Sequence, residues 1–338
     1  MTQTKTRGSH TACWIGIILL ALLLVGSVAL NLGLAAGLMA RRAGPAGTGP
    51  SRGEDEFPAF REVHSHGAGR IKAVRLPIDG VLTRQADGGL FRPAVDRIEL
   101  ALRQIRAASN DPAVAALLLE VSSPGGAITP VDEVHQALRR FRESRADRRI
   151  VVYVRDIAAS GGYYIACAGD RIVAEPTAIL GSISVILQTL NWHELSERIG
   201  VRDTTIASGR NKDLLNPFRE VDAEHVAMLQ DVVDQLHARF SRLVRLGRGL
   251  SDAEVDAVAD GRILTAADAL ERRLIDRIGG RGDAVELVHE LLNEREVRFV
   301  RYDHSMRLGD WLARLQAMDG LERLVRPRPP RFAYLWQP

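Results

Sequence analysis

A β-branched apolar run, Ile150-Val151-Val152-Tyr153-Val154, leads through a short turn to Ser160-Gly161-Gly162-Tyr163-Tyr164 and on to Ile165-Ala166-Cys167-Ala168. The run predicts a buried strand and the last residues a helical turn. A serine therefore stands where a strand ends, a small-residue turn follows and a helix begins. The turn exposes the hydroxyl, and the glycines let a substrate carbonyl approach the backbone. The helix N-terminus favours developing negative charge. Ser160 is thus a candidate nucleophile. A serine that merely caps the helix is the alternative that these residues leave open.

The rest of the chain is arranged around this unit. Strands are expected at Ile71–Ile78, Val114–Val121 and Arg171–Ala174, with a strand-like run at Thr204–Ala207. Helices are expected at Val95–Ala108, Val131–Arg142, Trp192–Ile199 and the long amphipathic stretch Val221–Leu246. Leu264–Ile278 reads as a helix after a short strand, Asp283–Asn293 as another helix, and Val297–Tyr302 as a closing strand. Alternating strand and helix predicts an α/β domain with a largely parallel sheet. The strand at 114–121 ends in Ser122-Ser123-Pro124-Gly125-Gly126, a sharp turn that leaves backbone N–H groups exposed. Ser182 sits in a second small-residue turn, before Val185-Ile186-Leu187.

The chain carries 45 lysines and arginines, yet only three are lysine: Lys5, Lys72 and Lys212. Arginine does not release its proton in a protein, whereas a buried lysine does. Lys5 precedes an apolar segment and Lys72 opens a strand. Lys212, in the polar loop Ser208-Gly209-Arg210-Asn211-Lys212-Asp213, is the best candidate for a general base, against the alternative of a solvated loop lysine. Near pH 7.5 only about one free lysine in a thousand is neutral, so a lysine base needs its pKa lowered by about 3, or ~4 kcal/mol. Burial in apolar surroundings supplies that much.

Other chemistry is set aside on the sequence. There is no Gly-x-Ser-x-Gly elbow, no Gly-Lys pair of a nucleotide loop and no His-Glu-x-x-His among nine histidines. His193, His225 and His237 read as helix-surface residues, and Asp170 as a cap or surface charge. Two cysteines, Cys13 and Cys167, form neither a disulfide framework nor a metal cluster. Charges of both signs are interspersed around a net +3, which gives no nucleic-acid footprint. Neither cofactor nor metal is expected.

Residues 14–40 carry no charge and exceed the roughly 20 needed to cross a bilayer. They are expected to form one uncleaved transmembrane anchor after a tail at 1–13. Basic residues flank the segment on both sides and leave its orientation open. Residues 41–69 read as a flexible linker, 70–302 as the catalytic domain and 303–338 as an extension. Its Phe332-Ala333-Tyr334-Leu335-Trp336 is an apolar tail that docks on a neighbour, occupies a cleft or simply packs.

Three stretches in order resemble the signal peptide peptidase A (protease IV) family of membrane-anchored bacterial serine proteases. They are Ser123-Pro124-Gly125-Gly126, then Ala159-Ser160-Gly161-Gly162-Tyr163-Tyr164 with Gly181-Ser182-Ile183, then Gly209–Asp213 with Pro217-Phe218-Arg219. The resemblance implies a fold like that of the crotonases and the Clp protease proteolytic subunit. It implies Ser160 as nucleophile, Lys212 as general base and Ser182 as support for the lysine. Gly125, Gly126 and Gly161 would line the oxyanion site. Two positions depart from the family: Arg210 stands where a second lysine is usual, and Ser184 where a glycine is usual. The first leaves the base position intact, and the second bears on the pocket. The family also implies a homo-oligomer whose active site is shared between protomers, a domain on the extracytoplasmic side of the inner membrane, and remnant signal peptides and other extended apolar peptides as substrates. A crotonase-like acyl-CoA enzyme and an inactive membrane scaffold of the same fold are the rival readings.

Overall fold

The computed structural model describes residues 18–31, 33, 56–84, 87–89, 92–303 and 332–335. The chain divides into two units, Met1–Gly53 and Glu54–Pro338. In the first, residues 18–31 and 33 are helical. They are part of the apolar stretch 14–40, whose remaining residues lie outside the described ones. Among the described residues no helix is long and apolar enough to cross a membrane.

The second unit begins with β1 (Arg61–His66), β2 (Ile71–Asp79), β3 (Asp87–Gly89), β4 (Arg92–Val95), α1 (Arg97–Asn110), β5 (Val114–Ser123), β6 (Gly125–Ala127) and α2 (Ile128–Glu143). It continues with β7 (Arg149–Ala159), α3 (Gly161–Ala166), β8 (Arg171–Ala174), β9 (Ile179–Gly181), β10 (Ile186–Leu187), α4 (His193–Arg198) and α5 (Ala223–Arg248). The remainder is α6 (Asp252–Asp256), β11 (Ile263–Thr265), α7 (Ala266–Glu271), β12 (Arg277–Ile278), α8 (Arg281–Leu292), β13 (Val297–Asp303) and β14 (Phe332–Leu335).

The main sheet has the order β1-β13-β2-β5-β7-β8-β12, with β9 beside the end of β7 and β11 beside β9. Every pair is parallel except β1 with β13 and β9 with β11. The apolar runs are explained by burial on both faces. Leu117, Leu119, Val152 and Val154 pack with Ile98 and Ile105 of α1 and Val134 and Leu138 of α2. Their neighbours Ala116, Leu118, Val151 and Tyr153 face the other way, onto Ala284, Leu287 and Val288 of α8. Alternate residues of one strand thus serve two cores.

Three expectations are corrected. Residues 61–66, assigned to the linker, form β1, an edge strand on β13. Its polar and half-exposed side chains hide it from an apolar pattern. Thr204–Ala207 is not a strand. The run 264–278 is β11, α7 and β12 rather than one helix. Arg273 adopts φ 59° and Leu274 N–H returns to Ala269 C=O at 2.8 Å, which ends the helix in a left-handed cap.

Between β10 and α5 the chain leaves the sheet. Trp192, Leu195, Ile199, Val201, Ile206 and Phe218 of this excursion are exposed apolar residues. The amino-terminal half of α5 projects with it: of its 26 residues only Phe240 and Val244 are buried.

Candidate active site

Three adjacent strands, β5, β7 and β9, deliver the sequence-predicted residues to one end of the sheet. Ser123 pairs with Ala158, and Ala159 with Gly181. The turn after β5 holds Gly125 and Gly126, the turn after β7 holds Ser160, and the turn after β9 holds Ser182. The carboxyl ends of parallel strands are where α/β folds bind ligands.

Ser160 adopts φ 52° and ψ −117°, a strained conformation for a residue with a Cβ. Its hydroxyl makes no capping hydrogen bond, so the capping alternative does not hold. Its N–H donates to Gly181 C=O at 2.8 Å and its C=O accepts from Tyr164 N–H at 2.9 Å. That bond is the first of α3, so the N–H groups of Gly161, Gly162 and Tyr163 precede it in the helix's free first turn. Ser160 itself is 1% exposed.

The turn after β5 is held by Ser123, which the sequence placed in the motif without a role. Ser123 is fully buried. Its Oγ donates to Gly80 C=O at 2.7 Å and accepts from Gly125 N–H at 3.1 Å. Leu82 N–H donates to Gly125 C=O at 2.8 Å, and Ala127 N–H to Leu82 C=O at 2.9 Å. Gly125 therefore has its N–H engaged within the turn. Along a strand the polar groups alternate in direction, so the N–H of Gly126 faces away from Leu82. A Cβ on Gly126 would lie 2.1 Å from the Leu82 carbonyl oxygen, and one on Gly162 2.5 Å from that of Ser123. These two glycines serve backbone packing around the site.

Ser182 is 8% exposed and adopts φ 49°, with its N–H donating to Arg262 C=O at 2.7 Å. Ser184, at the position where the resemblance has glycine, is half-buried and lies beside Gly261.

Lys212 is not brought to this end of the sheet: it is exposed, in a turn of the excursion closed by its own N–H on Gly209 C=O at 3.0 Å. The surrounding loop is well tied. Asn216 donates to Asp203 at 2.8 Å and Asp213 at 3.1 Å, Arg219 pairs with Asp213 at 3.0 Å, and Arg210 pairs with Glu224 of α5. A cavity of about 480 Å³ is lined here by Leu190, Ser208, Arg210, Asp213, Val221 and His225 among others. Lys72, by contrast, lies between Glu62 at 2.6 Å and Asp111 at 2.7 Å and ties β1 to the loop after α1.

Asp170 accepts the Ile150 N–H at 2.7 Å, at the far end of β7 from Ser160, and is structural. His193 Nδ1 lies 3.2 Å from Phe218 C=O. Burial pushes the Cys167 thiol up to about 12, which keeps it protonated. Behind α3, Tyr164 Oη donates to Asp132 at 2.6 Å, and Arg239 of α5 grips the same carboxylate at 2.7 and 2.9 Å. Among the described residues no group of three or more His, Cys, Asp or Glu is placed to hold a metal.

Comparison with known proteins adds the family. The model of peptidase family S49 matches residues 142–295. A protein of Enterococcus faecium, provisionally named signal peptide peptidase SppA, is 32% identical over 263 residues, 76% of each chain. The chloroplastic serine protease SPPA of Arabidopsis thaliana is 29% identical over 67% of this chain and 33% of its own. Protease 4 of Haemophilus influenzae is 29% identical over 57% of this chain and 31% of its own. The match to the enterococcal protein spans most of both sequences and includes the Ser160 turn within the family model's reach; the chain belongs to peptidase family S49, as a serine-type peptidase.

Proposed function

We propose that this chain is a membrane-anchored endopeptidase in which Ser160 of one protomer attacks the peptide carbonyl and Lys212 of a neighbouring protomer is the general base. The observation that carries the reading is the state of Ser160. It is strained, buried and not used as a cap, at the head of a helix whose first N–H groups precede its first helical bond. In this reading Lys212 takes the Ser160 proton, and the tetrahedral oxyanion is held by the N–H groups of Gly161 and Gly126. The amine returns the proton to the leaving nitrogen, and water then hydrolyses the acyl-enzyme. Ser182 orients the amine. Ser–Lys is a variant of triad logic that needs no histidine.

Assembly is part of the proposal because Lys212 is exposed in a single chain, whereas a neutral amine needs cover from water. The apolar residues of its excursion are exposed with it, as an interface with another copy requires. The domain would be of the Clp protease and crotonase kind, tethered to the bacterial inner membrane through residues 14–40 on the extracytoplasmic side. Its substrates would be remnant signal peptides and other extended apolar segments, in line with the name of the enterococcal relative.

The test is fluorophosphonate labelling with peptide cleavage. Label is expected on the wild type and not on Ser160→Ala, and Lys212→Ala and Lys212→Arg should both be inactive. Mixed assemblies of Ser160→Ala with Lys212→Ala should regain activity. Full turnover by either Lys212 variant ends the base assignment, and co-assembled chains that fail to complement end the shared site.

A further inference from the structure

The helix that Ser160 opens is held from behind, through one side chain. Tyr164 is fully buried, and its Oη donates to Asp132 of α2 at 2.6 Å, the short range of a hydroxyl on an ionised carboxylate. The same carboxylate takes Arg239 of α5 at 2.7 and 2.9 Å and Gln136 at 2.6 Å. Burial pushes the Asp132 carboxyl up, but the bonds from Tyr164 and Arg239 outweigh it and hold the group below the usual carboxylate range. Phe240, next to Arg239, packs on the Tyr164 ring with centroids 5.0 Å apart. It is one of two buried residues of α5, so this helix is seated where it grips Tyr164.

What the grip controls follows from the planarity of the peptide. Ser160 C=O and Gly161 N–H belong to one trans peptide unit and point in opposite directions. Tyr164 N–H donates to that carbonyl at 2.9 Å. Whatever fixes Tyr164 therefore fixes the plane, and with it the aim of the Gly161 N–H, the proposed oxyanion donor. The other side of the Ser160 turn is held separately, by the bond of its N–H to Gly181. α3 has only six residues, too few to be stable alone. Its orientation comes from what holds its side chains, and at Tyr164 that is the carboxylate of Asp132.

We infer that Asp132 is a positioning residue: acting through Tyr164, and itself set in place by Arg239, it aims the Gly161 N–H at the oxyanion. The inference rests on the peptidase reading for the purpose of that N–H. Loss of one oxyanion donor costs about 10²–10³ in kcat. A donor that is present but misaimed costs less, and a loss of about tenfold is expected. KM should not move, because the oxyanion exists only in the transition state.

The experiment uses the full chain in detergent as wild type, Tyr164→Phe, Arg239→Met and the double variant. Tyr164→Phe removes one oxygen and leaves Asp132 paired with Arg239 and Gln136, so folding is not at stake. Hydrogen exchange of residues 160–167, read by mass spectrometry, reports the hold on Ser160 C=O without any need of activity. Fluorophosphonate labelling rate, kcat and KM on an apolar reporter peptide report its consequence. Each single variant should label and turn over about tenfold more slowly, with KM within twofold. Exchange should be at least tenfold faster in 160–167 and unchanged in β5 and β7. The double variant should lose no more than about threefold beyond the worse single one, because both changes act through one carboxylate. Losses that multiply overturn Asp132 as the shared joint. Faster exchange at wild-type kcat overturns the inference, since Tyr164 then only packs; a lower kcat at unchanged exchange overturns it too, as does no change in either. In the last case, and wherever the wild type cleaves, the peptidase reading stands. If the wild type neither labels nor cleaves while the exchange contrast holds, the peptidase reading falls and the hold of Asp132 on the Ser160 turn stands.

Discussion

His135 gives the sharpest test of how the site's foundation is held. It lies on α2 with its ring edge-on to Tyr164, centroids 5.2 Å apart, and Tyr164 belongs to the helix that Ser160 opens. Burial pushes the imidazole from 6.5 down to about 4; Asp132 opposes this, and Arg139, Arg142 and Arg239 reinforce it. The folded chain therefore keeps His135 neutral where the unfolded chain protonates it. Stability is full above pH 6.5 and falls as pH drops from 6.5 toward 4, because there the unfolded state binds more protons. The whole effect is about 3 kcal/mol, of which about 2.5 is already lost at pH 4.5. For a domain of this size, with an unfolding entropy on the order of 0.6 kcal/mol per kelvin, that is about 4 °C in Tm. The assay is thermal unfolding of wild type and His135→Phe, which keeps a ring and never titrates, at pH 7.5 and 4.5. Wild type should lose about 4 °C more than the variant between the two. Carboxylates such as Asp111 and Asp132 titrate in both chains and cancel. Parallel losses would refute the reasoning.

Three further outcomes follow from the geometry. Ser123→Ala strips partners from the Gly80 carbonyl and the Gly125 N–H, costing about 2 kcal/mol in urea unfolding. It should also lower kcat about tenfold with KM within twofold, since it loosens the proposed oxyanion turn. Gly162→Ala sets a Cβ 2.5 Å from the Ser123 carbonyl oxygen, backbone against backbone; about 1–3 kcal/mol of stability and at least tenfold in the fluorophosphonate labelling rate should be lost. Ser182→Gly relieves a positive φ and should hold or raise Tm by up to about 1 kcal/mol equivalent. Turnover should nevertheless fall at least tenfold, and a variant that keeps full activity would remove Ser182 from the mechanism.

The long central strands and the helices between them were legible because two-sided burial writes β5 and β7 as continuous apolar runs. β1 was not, since an edge strand with half-exposed His and Glu residues has no apolar signature. β6, β10 and β14 are two to four residues long, too short for any period, and their pairing joins residues some 150 to 210 apart in sequence. The scarcity of lysine singled out Lys212 and set Lys72 aside; only the structure shows that Lys72 sits between two carboxylates. The Ser160 turn was legible as a type of turn, but capping and nucleophilic serines share one local sequence. The backbone dihedral separates them, and Ser160 is held in it by the bond of its N–H to Gly181 of β9, which lies elsewhere in the chain.

The imposition is where the strain resides. Among the described residues, two of the five with positive φ other than glycine, Ser160 and Ser182, stand at this one end of the sheet, and each such conformation costs on the order of 1–3 kcal/mol. They persist because their N–H groups are committed: Ser160 to Gly181, Ser182 to Arg262. Gly125 is committed likewise, to Ser123. Around Ser160, the first N–H groups of α3 lie ahead of its first helical bond, while the Gly126 N–H faces β14. A strained serine held off its cap, at the head of that helix, is an arrangement that folding alone does not favour. Such local rule-breaking belongs at functional sites, compensated by the rest of the fold. The compensation here is the hydrogen-bonded frame of three strand ends, which fixes Ser160, the proposed nucleophile, and leaves Lys212, the proposed base, exposed on the excursion.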